Sequence, residues 1–345
     1  MVIRSAFHKV EDMLREGVEK VTGLSSQELI ASGLTSPIRV FVKQEPHKQA
    51  KLELGRYRLI SGLALDDQIL DRALFGVQNQ EEILRWDECP SKPGIGLHDD
   101  GLRLMASTFR EMLSRGNLVS TDVSGWDWSV QEWELLADLE ARRRLNGTAV
   151  ESAWYTLARV RFHCVANKAY VLPDGATYSQ SHPGIMASGW YNTSSTNSRM
   201  RIIARATAHA IHCERTGKYY DPDLMSQVVA MGDDAVEVQL DEDSRACLEE
   251  LGHVIKDVAV FDRLQGIEFC SHRWHDDGLA APVNLVKTLF KFFNHPASSP
   301  QLADWGSQLL YECRNARSEI EQDALRLAMA FVEEAKLHGA QQEQS

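Results

Sequence analysis

Residues 228–238 read VVAMGDDAVEV. Val228, Val229 and Met231 precede Gly232; Val236 and Val238 follow, alternating with Ala235, Glu237 and Gln239. Apolar β-formers on both sides of a short glycine-containing turn are the signature of a β-hairpin. Such a hairpin holds Asp233 and Asp234 together at one exposed tip. Adjacent anions repel, so the pair is costly unless a cation neutralises it. A solvated hairpin tip can have the same three residues, so their meaning has to come from the rest of the chain.

At 345 residues, 43% apolar and 25% charged, the composition is that of a soluble protein with one large core or a few subdomains. HKVEDMLREGVEKV, near the N-terminus, reads as an amphipathic surface helix and not as a leader. No stretch approaches the ~20 apolar residues of a membrane span; LVKTLFKFF (285–293) is too short and carries two lysines. Six cysteines without CxxC spacing point to free thiols in a reducing compartment. Cys270, His272 and His275 match no common zinc spacing and lack a fourth ligand, which argues against a zinc site. The net charge of −12 argues at face value against a nucleic-acid partner. The charge is uneven, however. Arg39, Lys43, Lys48, Lys51, Arg56 and Arg58 face only Glu45 and Glu53 between positions 39 and 58. Screening confines charge effects to roughly 10 Å, so such a lane can bind phosphate within an acidic body.

Outward from the hairpin, the chain has no internal repeat and no long low-complexity segment. Residues 61–115 are mostly helical in pattern, interrupted by CPSKPGIG (89–96). NLVSTDV (117–123) is a short strand ending near Asp122, and a helix follows. Residues 160–180 alternate apolar and polar, with LPDGATY as a hairpin turn. GIMASG (184–189) is a small-residue loop before the polar helix NTSSTNSRMRIIARATAHAIH. After the Gly-Asp-Asp hairpin come the helix SRACLEELG and a last strand pair through IEFCSHRW. NHPASSP (294–300) is a linker, 301–338 is helical, and AQQEQS is a polar tail. The order predicts an α+β fold, an antiparallel sheet with a helical surround and not a βαβ series. If the hairpin lies beside the strand 117–123, Asp122 and Asp233 meet across 111 positions of sequence. Facing carboxylates suit Mg²⁺, a hard cation with oxygen ligands; two such ions about 4 Å apart serve in-line phosphoryl transfer. Taken alone, Asp122 reads first as the N-cap of the following helix.

The blocks occur in the order VFVKQEPHKQAKLELGRYRLIS, TDVSGWDWSV, GIMASGWYNTSSTNS, MGDD, LGHVIK and EFCSHRW. That order resembles the RNA-dependent RNA polymerases of positive-strand RNA viruses, most of all the sobemovirus, polerovirus and barnavirus group, from about residue 39 to about residue 293.

The resemblance implies a right-hand fold. Fingers take 1–107 with the basic nucleotide segment, and again 146–183; the palm takes 108–145 and 184–275; a small thumb takes 276–345. Only about forty residues precede the basic block, so the fingers are expected to be compact, or part of them to lie outside this sequence. It implies that Asp122 and Asp233 are the principal ligands of Mg²⁺ (with Mn²⁺ able to substitute), helped by the backbone carbonyl of Val123 and by Asp234. Asp127 is expected at the ribose of the incoming nucleotide, oriented by Thr193 and Asn197, with Ser188 and Gly189 in a flexible loop beside it. Lys43, Lys51, Arg56 and Arg58 are expected to neutralise the triphosphate, and Lys256 to protonate pyrophosphate. Phe269, Cys270 and Ser271 are expected in a hairpin under the primer end. Trp126 and Trp128, flanking Asp127, read as core packing.

The implied partners are RNA template and product and ribonucleoside triphosphates; a genome-linked protein primer and other viral replication proteins stay open. The implied location is the host cytoplasm, at a membrane-associated replication complex reached through partners. Two rival readings are a reverse transcriptase and a catalytically silent RNA-binding scaffold. The first normally carries an aromatic sugar gate and an aromatic residue before the Asp-Asp turn, where this chain has Asp127 and Met-Gly-Asp-Asp. The second is disfavoured because every expected carboxylate and cation is present.

Overall fold

The computed structural model describes residues 1–45, 49–239, 242–294 and 301–342. It is a mixed helix-and-sheet protein in which most strand pairings are antiparallel. The chain divides into two compact units. One comprises Met1–Lys43, Tyr57–Ile95 and Val119–Ala259; the other Gln44–Arg56, Gly96–Leu118 and Val260–Ser345.

In the first unit the strands Val228–Met231 and Asp234–Val238 form the expected hairpin, in register from Val228↔Glu237 to Met231↔Asp234. The sheet order places the second hairpin strand beside Leu118–Val123, with Ile255–Phe261 on the far side. That last strand has no mark in the local pattern: Lys256 comes after helix Glu242–Glu250 and lies on the strand. The 24-residue helix Thr193–Thr216 packs against the hairpin through Ile202 on Val228, Ala230 and Ala235.

A second sheet in this unit runs in the order Leu59–Gly62, Ile38–Val42, Ala169–Val171, Thr177–Ser179. Its inner pair, Ile38–Val42 with Ala169–Val171, is parallel. The alternation over 160–180 predicts strand throughout, yet helix Ala153–Ala166 takes the first seven of those positions. Val160, Phe162, Val165 and Ala166 are buried there among core residues on several sides. A helix enclosed on more than one face loses the single apolar stripe that would identify it.

The N-terminal helix Val2–Val21 breaks at Gly17, whose φ of +72° is left-handed. It is more than a surface element, because Met13 and Val21 pack with Leu29, Leu34, Leu70 and Val160.

The second unit holds the strands Glu268–Phe269, His272–Trp274 and Ala280–Pro282, three where a pair was expected. Helix Asp99–Leu113 lies against them, with Phe109 edge-on to Trp274 at 5.2 Å. Leu285–Phe293, Leu302–Glu312 and Glu319–Gln342 are helices around Phe292, Leu309 and Val332. Lys48, most of the 294–300 linker and the last residues of the tail lie outside the described residues. No described helix is long and apolar enough to cross a membrane. The described cysteines are free, as expected. His272 Nδ1 bonds the carbonyl of Cys270, and the described residues contain no cluster of three or more metal-ligating side chains.

Candidate active site

A two-residue turn closes the hairpin. Gly232 takes a φ of +66° and Asp233 stays at negative φ, the pattern for which glycine is favoured at the first central position. The amide of Gly232 donates to Ser198 Oγ at 2.9 Å, tying the turn to helix Thr193–Thr216. Asp122 is the penultimate residue of its strand. Lost hydration raises the pKa of Asp233, the negative charge of Asp122 raises it further, and the positive charges of Arg58 and Arg201 oppose both. The two carboxylates therefore share one electrostatic site. Lys256 Nζ lies 2.9 Å from Asp122 and 2.9 Å from Asp257, and these bonds hold its pKa above that of an ordinary lysine.

Beneath the turn the sheet is braced by buried charge. Glu237 is a polar position of the hairpin's alternation, yet it is 1% exposed. Arg201 donates to Glu237 Oε1 at 2.9 Å and to Thr121 Oγ1 at 2.7 Å; Arg205 donates to Glu237 Oε2 at 2.7 Å. The long helix covers this face, so its arginines replace the water that a strand glutamate normally meets.

Asp127 is carried by a single helical turn, Trp126–Ser129, entered through Gly125 at φ +64°. Asn197 Nδ2 donates to Asp127 Oδ1 at 3.1 Å, as expected. Burial raises the pKa of Asp127 and Arg58 lowers it. The other amide atom, Asn197 Oδ1, is buried with no hydrogen-bond partner among the described residues. His253, from the block LGHVIK, stacks on Trp126 at 4.5 Å and bridges Ser129 Oγ (3.0 Å) and Glu134 Oε1 (2.7 Å). Trp126 is core, as expected, but Trp128 is 60% exposed. Two residues apart on a one-turn helix point about 200° apart, so both cannot face one core.

Thr193 does not reach Asp127. Its hydroxyl donates to the carbonyl of Ala187 at 2.8 Å and so holds the 184–189 loop. That loop is closely fitted: Ser188 Oγ accepts from the amide of Ser61 at 3.1 Å, and Gln68 Nε2 donates to the carbonyl of Gly189 at 2.6 Å. A Cβ on Gly189 would meet the Ser61 carbonyl oxygen at 2.2 Å, so only glycine fits. A cavity of about 220 Å³ beside Asp127 is lined in part by Ser61, Trp128, Tyr170, Ile185, Met186 and Ser188.

Lys43 follows strand Ile38–Val42, and its amide donates to the carbonyl of Arg58 at 2.8 Å. Arg58 is the lane cation whose charge reaches Asp127 and Asp233. Lys51, on helix Gln49–Glu53, and Arg56 belong to the second unit and are exposed. So do Phe269, Cys270 and Ser271, where Cys270 and Ser271 form a turn at φ 50° and 58°.

The donor set around Asp122 and Asp233 is all oxygen, desolvated at Asp233 and electrostatically coupled. Mg²⁺ is commonly held by one or two carboxylates together with substrate phosphates, with no enclosing protein cage. A carboxylate pair with no cluster of three ligating side chains among the described residues fits that mode. Several supporting residues escaped the sequence reading: Lys168, Arg201, Arg205, Glu237 and His253. The i, i+4 spacing of Arg201 and Arg205 was the one signal that a buried anion faced that helix.

Residues 10–280 match the profile of a family described as viral RNA-directed RNA-polymerase. The RNA-directed RNA polymerase of Mushroom bacilliform virus is 39% identical over 95% of the chain and 76% of its own length. The replicase polyprotein P2AB of Southern bean mosaic virus is 40% identical over 83% of the chain. Protein P1-P2 of Turnip yellows virus is 36% identical over 94%. The chain spans only 28% and 30% of those two longer proteins.

Proposed function

Because the chain belongs to the family of viral RNA-directed RNA polymerases, we propose that the site around Asp122, Asp127 and Asp233 is its catalytic centre, where ribonucleotides are joined on an RNA template. The enzyme class is RNA-directed RNA polymerase, and the family's chemistry is RNA synthesis for viral replication, with RNA and nucleoside triphosphates as ligands and a divalent metal as cofactor. DNA synthesis and a silent scaffold are not favoured by this membership.

One observation carries the site: the sheet order that sets the Gly-Asp-Asp hairpin beside the strand bearing Asp122. Asp122 and Asp233 hold Mg²⁺ in our reading, with the carbonyl of Val123 and with Asp234 as an auxiliary carboxylate; Mn²⁺ can substitute. An ion held there would supply Lewis acidity, lowering the pKa of the primer 3′-hydroxyl and offsetting phosphate charge. The 3′-hydroxyl gives its proton to solvent and its oxygen bonds to the α-phosphorus, while the bond from the α-phosphorus to the bridging oxygen breaks and pyrophosphate leaves. Lys256 supplies a proton from Nζ to pyrophosphate; its ion pairs keep it charged at neutral pH.

Asp127 accepts from the ribose 2′-hydroxyl or its neighbours, and Asn197 Oδ1, without a hydrogen-bond partner among the described residues, offers a second acceptor beside it. Thr193 acts on the loop, through Ala187, and Ser188 and Gly189 form the wall beside the nucleotide. Arg58 and Lys43 offset the triphosphate charge; Lys51 and Arg56 are assigned to it on sequence resemblance alone.

In the same reading, 1–107 and 146–183 are fingers, 108–145 and 184–275 palm, and 276–345 thumb. The enzyme works in the host cytoplasm, brought to a membrane-associated complex by partner proteins. The test is RNA-templated primer extension with labelled ribonucleotides and Mg²⁺. RNA binding without extension in either Mg²⁺ or Mn²⁺ overturns the catalytic reading.

A further inference from the structure

Lys168 is 2% exposed, in the core of the first unit, next to a strand that the sequence marks only as the start of a hairpin. Among the described residues its ammonium is in no ion pair with a carboxylate. Instead it donates to three backbone carbonyls: Val165 at 2.7 Å, Gly184 at 2.8 Å and Ile185 at 2.6 Å. All three protons of a lysine are thereby satisfied. The lysine spans the end of helix Ala153–Ala166 and the start of the 184–189 loop.

What it holds is unusual backbone. Ile185 has a φ of 56°, where a β-branched residue is an outlier. Gly184 sits at φ +126°, with the Val130 carbonyl oxygen 2.5 Å from where a Cβ would be. Strained backbone of this kind persists only where its surroundings over-determine it. The turn is also stitched to the short helix that carries Asp127. The amide of Ile185 donates to the carbonyl of Val130 at 2.8 Å, and that of Met186 to the carbonyl of Asp127 at 2.7 Å. Ile185, Met186 and Asp127 together line the cavity of about 220 Å³.

We infer that Lys168 is a positioning residue for ribose selection: its buried ammonium pins the 184–186 turn, and the turn in turn sets the place of Asp127. This rests on the reading of Asp127 as the ribose-sensing carboxylate. Lys168 touches neither Asp127 nor the cavity; it acts through Gly184 and Ile185. Burial pulls the Lys168 pKa down to about 7 while Asp127 pushes it up, and the lysine's charge in turn lowers the Asp127 pKa against the larger effect of burial. The three carbonyl acceptors match the three protons of the ammonium form.

The test compares Lys168→Met, which keeps the bulk of the stem and removes the ammonium, with Lys168→Met/Ile185→Gly. Glycine adopts positive φ without strain, so the double variant no longer needs the clamp. The measurement is single-nucleotide extension with matched ribo- and deoxyribonucleotides. Lys168→Met is expected to raise the ribonucleotide KM and to lower the ribo/deoxy ratio of kcat/KM roughly tenfold, the loss attending one misplaced buried hydrogen-bonding group. The deoxynucleotide KM should stay unchanged, and the double variant should recover much of the ratio.

A lysine that merely supports the fold would lower kcat for both sugars alike, and that result overturns the proposal. If Lys168→Met does not fold while the double variant does, the clamp is supported. If neither folds, Lys168 belongs to fold stability and the proposal fails. Asp127→Asn separates the premise from the inference. An unchanged sugar ratio in that variant removes the role of Asp127. A changed ratio there with an unchanged one in Lys168→Met removes only the role of Lys168.

Discussion

A single oxygen decides most at Asp233. Asp233→Asn removes one charge and one ligand from a site whose other carboxylate already perturbs it. Extension is expected to fall to background while thermal unfolding stays within a few degrees of the parent. Wild-type extension by that variant would remove the two-carboxylate reading. Asp234→Asn is expected to do less harm and to shift the preference between Mg²⁺ and Mn²⁺. In the proposed reading Asp127 governs the sugar. A site that hydrogen-bonds a substrate hydroxyl can reject the analogue lacking it by roughly 10⁴-fold, because its polar groups are left unpaired. Asp127→Ala should move the ribo/deoxy ratio of kcat/KM toward unity, measured at fixed Mg²⁺; an unchanged ratio places selection elsewhere.

Helix Thr193–Thr216 is the element on which both functional turns depend. Ser198 ties down Gly232, Asn197 meets Asp127, and Arg201 and Arg205 enclose Glu237. On its opposite side Arg199 donates to Asp138 Oδ1 at 2.5 Å, and Arg142 to Asp138 Oδ2 at 3.0 Å. Removing one partner of a buried ion pair costs about 3–5 kcal/mol, since the other charge stays buried. Glu237→Gln should therefore lower the urea midpoint with little change in slope, and a variant as stable as the parent would show that the arginines find other partners.

Acid acts on the same helix. Burial pushes the Asp138 carboxyl up, but Arg199 and Arg142 outweigh it and leave its pKa below that of a free aspartate. A pKa depressed in the folded state contributes stability above the unfolded value of about 3.9 and loses it as pH falls through the folded one. Asp138→Asn should remove that contribution at neutral pH and flatten the decline in stability below about pH 4. An equally steep acid limb in the variant would assign the decline to other carboxylates.

For the whole molecule, charge is the property that composition misrepresents. A net −12 opposes RNA, yet Arg58 lies close enough to Asp127 and Asp233 to alter their ionisation. RNA affinity should fall steeply with salt, with a log–log slope near −0.7 per phosphate contacted on a single strand. Arg58→Ala should raise the nucleotide KM more than it weakens RNA binding. Normal nucleotide binding by this variant would make Arg58 part of a solvated face.

The hairpin, the strand that carries Asp122 and the long polar helix were legible in the chain because each rests on local signals: alternation, a glycine at the turn, a helical period. The order of the motif blocks was enough to identify the family, since order survives without coordinates. The strand Ile255–Phe261, the helix across 160–166 and the exposure of Trp128 were not legible. Each depends on which neighbours cover a face, and neighbours come from distant sequence. The same holds for charge. Nothing local in the sequence marks Lys168, Arg201 and Glu237 as buried, because burying an ion is costly unless its partners are in place. Those partners are the carbonyls of Val165, Gly184 and Ile185 for Lys168, and each other for Arg201 and Glu237. Only the tertiary structure brings them together.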